Sequence, residues 1–188
     1  VLAGRGASIY ISGNPGTGKT ALVDELLTEL ASEAATTSAK VKVIKINCMM
    51  LKDPLRAFHE LATSLNMPLL PQDRNPLIIL NALESFFTSL DHTVVIVIDE
   101  VDQIGMKDPE LLCKLLAMPY LKGARVCVIG IANSMDLTER FLPRLKLLNC
   151  SPSVLHFPQY TVADISSILC DRLERINNEG SCCLIDRS

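Results

Sequence analysis

One lysine, two threonines and three glycines fall within a single short stretch, Gly13-Asn14-Pro15-Gly16-Thr17-Gly18-Lys19-Thr20. The spacing G-x-x-x-x-G-K-T suits one task, the cradling of phosphate oxygens. Glycines let consecutive backbone N–H groups turn inward without a Cβ in the way. A helix beginning at the end of the loop adds its partial positive charge. Lys19 is then placed to reach the β- and γ-phosphates, and the Thr20 hydroxyl to ligate Mg²⁺. Asn14, Pro15, Gly16, Thr17, Gly18 and Ala21 complete the set expected around a nucleoside triphosphate.

Two more positions have types suited to that chemistry. Asp99 and Glu100 end the β-branched run Thr93-Val94-Val95-Ile96-Val97-Ile98. A run of that kind suits a central parallel strand buried on both faces. Ligands of such sheets bind beyond the carboxyl ends of the strands. Asp99 is therefore expected to hold Mg²⁺, usually through water. Glu100 is expected to orient and polarise the attacking water. Asn133 ends a second apolar run, Arg125–Ala132; taken alone it is an ordinary turn residue.

These positions need a scaffold, and the pattern supplies one. Strands are expected at about 8–12, 41–47, 93–98, 125–132 and 154–157. Val41–Asn47 alternates Lys with aliphatic residues, the pattern of a strand near a sheet edge. Helices are expected from the phosphate loop to about residue 35, over 55–65, from Pro76 to about 90, from Pro109 to about 118, within 137–147, and over 162–176. Asp53-Pro54 and Asp108-Pro109 each read as an N-cap followed by proline at the first helical position. From Asn177 the chain is polar and expected to fray. Strands alternating with helices imply an α/β fold: a parallel sheet sandwiched by helices.

Composition narrows the setting. The chain has 188 residues, 48% of them hydrophobic, and no tryptophan. Mean hydropathy is +0.29. That is enough for one domain with a real core. The balance of 18 basic against 21 acidic residues gives −3, which argues against binding nucleic acid by bulk charge. No apolar run approaches bilayer length, and none reads as a signal peptide. The first residue is Val, so a piece of something longer is expected. The seven cysteines form no C-x-x-C pair, as expected of reduced, mostly core thiols in a cytosolic or nuclear protein.

The phosphate loop, the strand ending Asp99-Glu100 and the later strand ending in Asn133 together resemble the AAA+ ATPases, P-loop NTPases in which that Asn is the first sensor of the γ-phosphate. Gly130-Ile131-Ala132-Asn133-Ser134-Met135-Asp136-Leu137-Thr138-Glu139-Arg140-Phe141-Leu142-Pro143-Arg144-Leu145 is similar to the replication-initiator branch, which includes the large origin recognition complex subunit and cell division control protein six. So is the box Phe157-Pro158-Gln159-Tyr160-Thr161, with Ile165, Ile168-Leu169 and Arg172-Leu173 after it. The Leu-Pro-Arg-Leu ending, Ile46-Asn47-Cys48-Met49, and Asp99-Glu100-Val101-Asp102-Gln103 look more like cell division control protein six.

The resemblance spans almost all of residues 7–175. It implies an AAA+ core over 1–158, and the start of a helical lid with a polar tail over 159–188. No counterpart of the lid's sensor-two arginine is expected within these residues, nor the winged-helix domain that follows the lid in the family. It also implies ATP and Mg²⁺ as cofactors, Tyr160 among the nucleotide-binding residues, and an arginine finger at Arg144 or Arg140. Lys52, Arg56 and His59 lie where initiators carry an extra DNA-touching helical element. The implied activity is slow, switch-like ATP hydrolysis by a nuclear replication licensing factor. Such a factor joins the origin recognition complex on origin DNA and helps load the replicative helicase with its loading factor. Origin DNA would be contacted mostly through parts outside this chain, and no membrane is involved. Two other readings stand beside it: a nucleotide-binding scaffold with little turnover, and a clamp-loader-like AAA+ DNA remodeller.

Overall fold

The computed structural model describes residues 6–37, 39–51, 53–67, 76–133 and 143–179. The chain divides into two compact units, Val1–Phe157 and Pro158–Ser188. In the first unit β1 (Ala7–Gly13) leads through the glycine-rich turn into α1 (Lys19–Thr37). β2 (Val41–Asn47), a single 3₁₀ turn (Cys48–Met50), α2 (Pro54–Ser64) and α3 (Pro76–Thr88) follow. Next come β3 (Thr93–Asp99), α4 (Asp102–Lys107), α5 (Pro109–Ala117), a 3₁₀ turn (Met118–Tyr120) and β4 (Val126–Ala132). Residues 143–147 are helical (α6), and β5 (Ser153–Phe157) ends the unit. The second unit contains α7 (Val162–Glu179).

The five strands form one parallel sheet in the order β2-β3-β4-β1-β5. β3 sits inside it, with Val94 to Ile98 no more than 2% exposed. That burial is why its sequence is unbroken aliphatic rather than alternating. β2 is an edge strand, with Lys45 exposed and Lys42 half-buried along it. Asp53 caps α2 by accepting from the Leu55 N–H, and Asp108 caps α5 by accepting from Glu110 and Leu111, each followed by Pro as anticipated.

One expectation needs correction, and one helix was not expected at all: Asp102–Lys107 forms a short helix of its own after Asp99-Glu100. α7 does not stop at Ile176 but continues to Glu179, since nothing in Asn177-Asn178 breaks a helix as Gly or Pro would. Its start is fixed by a reciprocal cap: the Thr161 N–H and hydroxyl donate to Asp164 Oδ2, and the Asp164 N–H donates to Thr161 Oγ1. Among the described residues, no helix is long and apolar enough to cross a membrane.

Candidate functional site

The phosphate loop leaves β1 at Gly13. A Cβ there would stand 2.5 Å from the Phe157 carbonyl oxygen of neighbouring β5, so only glycine lets β5 come this close. Gly16 has φ +80, and a Cβ on it would meet nothing within 4 Å, so the loop faces open space there. Thr17 folds back, its hydroxyl donating to the Asn14 carbonyl at 2.8 Å. Asn14, Pro15, Gly16, Gly18 and Ala21 are exposed, whereas Thr17 and Lys19 are buried. That open, donor-rich turn at the start of a nineteen-residue helix fits a phosphate chain.

Lys19 connects the loop to the sheet. Its ammonium donates to the carbonyls of Gly13 at 2.7 Å and Asn14 at 2.8 Å, and to Asn133 Oδ1 at 3.1 Å. Asn133 in turn donates through Nδ2 to both carboxylate oxygens of Glu100, at 2.7 and 2.6 Å. On the other side of the loop Thr20 donates its hydroxyl to Asp99 Oδ2 at 3.2 Å. A hydroxyl and a carboxylate oxygen side by side are the hard donor set that Mg²⁺ takes, so these residues fit that ion. The structure thus brings Lys19, Thr20, Asp99, Glu100 and Asn133 from three neighbouring strand ends to one place.

The backbone explains how Glu100 faces Asn133. Its φ is +56, a left-handed conformation uncommon for a residue with a side chain. The bend turns the chain out of β3 and into α4. It is held by the Glu100 N–H donating to Asp99 Oδ1 at 3.0 Å and the Val101 N–H donating to the Ile131 carbonyl at 2.9 Å. Burial pulls the Lys19 amine below its ordinary range, against the opposing pull of the Glu100, Asp99 and Asp102 carboxylates. The same acidic surroundings show at Cys48, which burial, then Asp99, Glu60, Asp102 and Glu100, push up to about 12.

The remaining candidates lie elsewhere. Arg144 is exposed on α6, in a concavity it shares with Glu110, Cys113, Lys114, Leu147 and Leu148. Arg140 and Lys52 lie outside the described residues. Arg56 is exposed and His59 half-buried on α2, whose other face buries Ala57, Phe58, Leu61 and Ala62. Tyr160 belongs to the second unit and is 43% exposed. Spacing did not single out two residues that border the site, Tyr10 in mid-β1 and Asp102 at the start of α4. The sequence signal was a third acid close behind Asp99-Glu100 and a tyrosine in the middle of a strand of small and aliphatic residues.

Known proteins resemble the chain over most of its length. Residues 3–141 match the family described as AAA domain. Cell division control protein 18 of Schizosaccharomyces pombe is 35% identical over 177 residues, 92% of this chain and 30% of that protein. The human cell division control protein 6 homolog is 35% identical over 179 residues, covering 93% and 31%. The chain therefore spans about a third of the length of these curated relatives. A structure of Drosophila ORC bound to DNA superimposes with a TM-score of 0.74 at 28% identity, over 92% of this chain and 42% of that one. With a phosphate loop, an Asp-Glu strand end and a terminal Asn on one parallel sheet, the chain belongs to the AAA domain family, on the replication-initiator side where cell division control protein six stands.

Proposed function

We propose that this chain is the nucleotide-binding core of an ATP-dependent DNA replication licensing factor. The observation that carries the reading is the hydrogen-bonded line Lys19–Asn133–Glu100, flanked by the Thr20–Asp99 pair. Each member has a role suited to its position. The loop N–H groups and Lys19 bind the β- and γ-phosphates. Thr20 and Asp99 hold Mg²⁺, which when bound neutralises phosphate charge. Glu100 orients water for in-line attack, and Asn133, bonded to both Lys19 and Glu100, registers whether a γ-phosphate stands between them.

Because Asn133 engages both Glu100 oxygens, Glu100 must give up part of that contact to hold a water. A slow, switch-like turnover follows, in which bound ATP sets one conformation and hydrolysis releases it. The same contact favours the second reading, a scaffold that binds ATP and seldom turns it over. Similarity to cell division control proteins 18 and 6 supports the client: the origin recognition complex on origin DNA in the nucleus, with loading of the replicative helicase and its loading factor as the outcome. Within this reading Arg144 or Arg140 acts as the finger on a neighbouring subunit's nucleotide, and Tyr160 contributes to the nucleotide pocket from the lid. Lys52, Arg56 and His59 are the residues of this reading to test for contact with DNA.

The test uses the full-length product of the gene. Its binding to origin recognition complex on DNA is measured with and without ATP, for wild type and Lys19→Ala. Recruitment that needs ATP and disappears in the variant is the expected result. An intact protein that is never recruited would remove the licensing role and leave an AAA ATPase with another client.

A further inference from the structure

The surface between α5 and α6 is a groove built the same way on both sides. Glu110, Cys113 and Lys114 on α5 line one wall, and Arg144, Leu147 and Leu148 on α6 and its closing turn line the other. Each set has the spacing i, i+3, i+4, which puts three side chains on one helix face. The opposite sides are buried in one common core: Leu111, Leu112, Leu115 and Leu116 behind the first wall, Leu145 and Cys150 behind the second. The walls are therefore fixed to each other, and the concavity of about 270 Å³ between them is part of the fold.

Its chemistry is uneven. Leu147 is 85% exposed and Leu148 50%, side by side. The end of α6 holds them there. The Cys150 N–H donates to the Leu145 carbonyl at 2.9 Å and the Asn149 N–H to the Lys146 carbonyl at 3.0 Å, with Asn149 left-handed at φ +55. That is a Schellman cap, and the Cys150 thiol adds a bond to the Leu148 carbonyl at 3.2 Å. Two leucines held out in water beside a floor formed by buried Cys113 make an apolar surface whose covering is favourable. Lys114 and Arg144 stand on its rim against one acid among the described residues, Glu110, and Lys146 is exposed on the same helix as Arg144. This local excess of positive charge lies on a chain of net charge −3.

We propose that this groove docks an acidic segment of a protein partner, seating one of its apolar side chains against Leu147, Leu148 and Cys113 and pairing its carboxylates with Lys114 and Arg144. Small-molecule pockets run from about 300 Å³ upward and enclose most of the ligand, whereas a groove of this size takes a side chain. Nucleic acid would use the cations but leave the leucines in water. An acidic polypeptide with an apolar anchor uses both, the anchor supplying affinity and the charges selectivity. The inference rests on the licensing reading, in which that segment belongs to the origin recognition complex. Arg144 is also a finger candidate in that reading, so the test turns on Leu147 and Lys114, to which it gives no nucleotide role.

Binding of the full-length protein to the origin recognition complex on DNA is measured with ATP for wild type, Leu147→Glu, Leu147→Lys and Lys114→Glu, beside the ATP affinity of each. Leu147→Glu should weaken recruitment about tenfold or more and Lys114→Glu about fivefold, with ATP affinity unchanged. Leu147→Lys loses the anchor but keeps the charge complementarity, so it should weaken recruitment less than Leu147→Glu does. Recruitment of Leu147→Glu at the wild-type level, or equal losses from Leu147→Glu and Leu147→Lys, overturns the proposal. So do the same losses on bare DNA, which would make the groove a nucleic-acid surface. Wild-type dimers that Leu147→Glu dissociates would make the occupant a second copy and overturn it as well. Should circular dichroism show Leu147→Glu unfolded, Lys114→Glu carries the same expectation and the same refutation. Wild-type protein that is not recruited with ATP would instead remove the licensing reading, and this partner with it.

Discussion

The two faces of the sheet are built very differently. On one, α2, α3, α4 and α5 bury Phe58, Leu83, Phe87, Ile104 and Leu112 against Val94, Ile96 and Ile98, all at 2% exposure or less. On the other, the buried set is small: Val23 from α1 against Ile11, Val95, Val97, Cys127 and Ile131. Leu22 and Leu26 on α1 remain 37% and 52% exposed. The asymmetry follows from what α1 has to do. Its first turn carries Lys19 and Thr20, so its orientation is set by the phosphate loop, and only a narrow stripe is left for the sheet. Stability is therefore concentrated on the crowded face, while the chemistry sits at the strand ends where the two faces meet.

The sharpest way to break this contrast is to truncate the crowded face. Phe87 is fully buried and stacks edge-on against Phe86, with centroids 6.1 Å apart. Phe87→Ala should cost about 3–5 kcal/mol, through lost burial and the cavity left behind. Urea denaturation of the variant measures it. A loss below about 1 kcal/mol would mean that α3 collapses onto the gap and that this face is not the rigid half.

A smaller loss is expected on the thin face. Val23, at 2% exposure, is the most buried contact of α1. Val23→Ala should cost about 2 kcal/mol, because fewer methyl groups are removed and the exposed side of the helix lets it settle. It should also weaken ATP binding, since α1 carries Lys19 and Thr20. Comparable stability loss from the two truncations would erase the difference between the faces.

The same asymmetry decides how much could be read from sequence. β3 was legible because burial on both faces makes it a continuous aliphatic run, and its end then locates Asp99 and Glu100. The caps at Asp53 and Asp108 are local, and local hydrogen bonds leave local signatures. The meeting of Lys19 with Asn133 is not local. It depends on β4 lying beside β1, a neighbour relation set by crossovers that alternation does not encode; only resemblance to a family pointed to Asn133. The helix Asp102–Lys107 was missed because it is short and contains Gly105. The left-handed turn at Glu100 was missed because no glycine marks it. Asp102 entered the sequence reading only within the stretch Asp99–Gln103 that carries the resemblance, and its burial stayed hidden.

The finest test concerns the seam itself. β4 sends Val126 and Val128 to the crowded face and Cys127 and Ile131 to the thin one, and Asn133 follows its last residue on neither. Asn133→Ala removes the bonds to Lys19 and Glu100, but Lys19 keeps the Gly13 and Asn14 carbonyls, and the half-exposed Glu100 can turn to water. Stability should therefore change by less than about 1 kcal/mol. Turnover in the full-length protein should fall about tenfold, roughly 1.4 kcal/mol, with ATP affinity reduced by much less. That split separates a residue that reads the γ-phosphate from one that only braces the fold. Equal losses in affinity and turnover would make Asn133 part of ground-state binding. A stability loss matching Val23→Ala would show that the strand ends are not independent of the faces, and that chemistry and folding share the same residues.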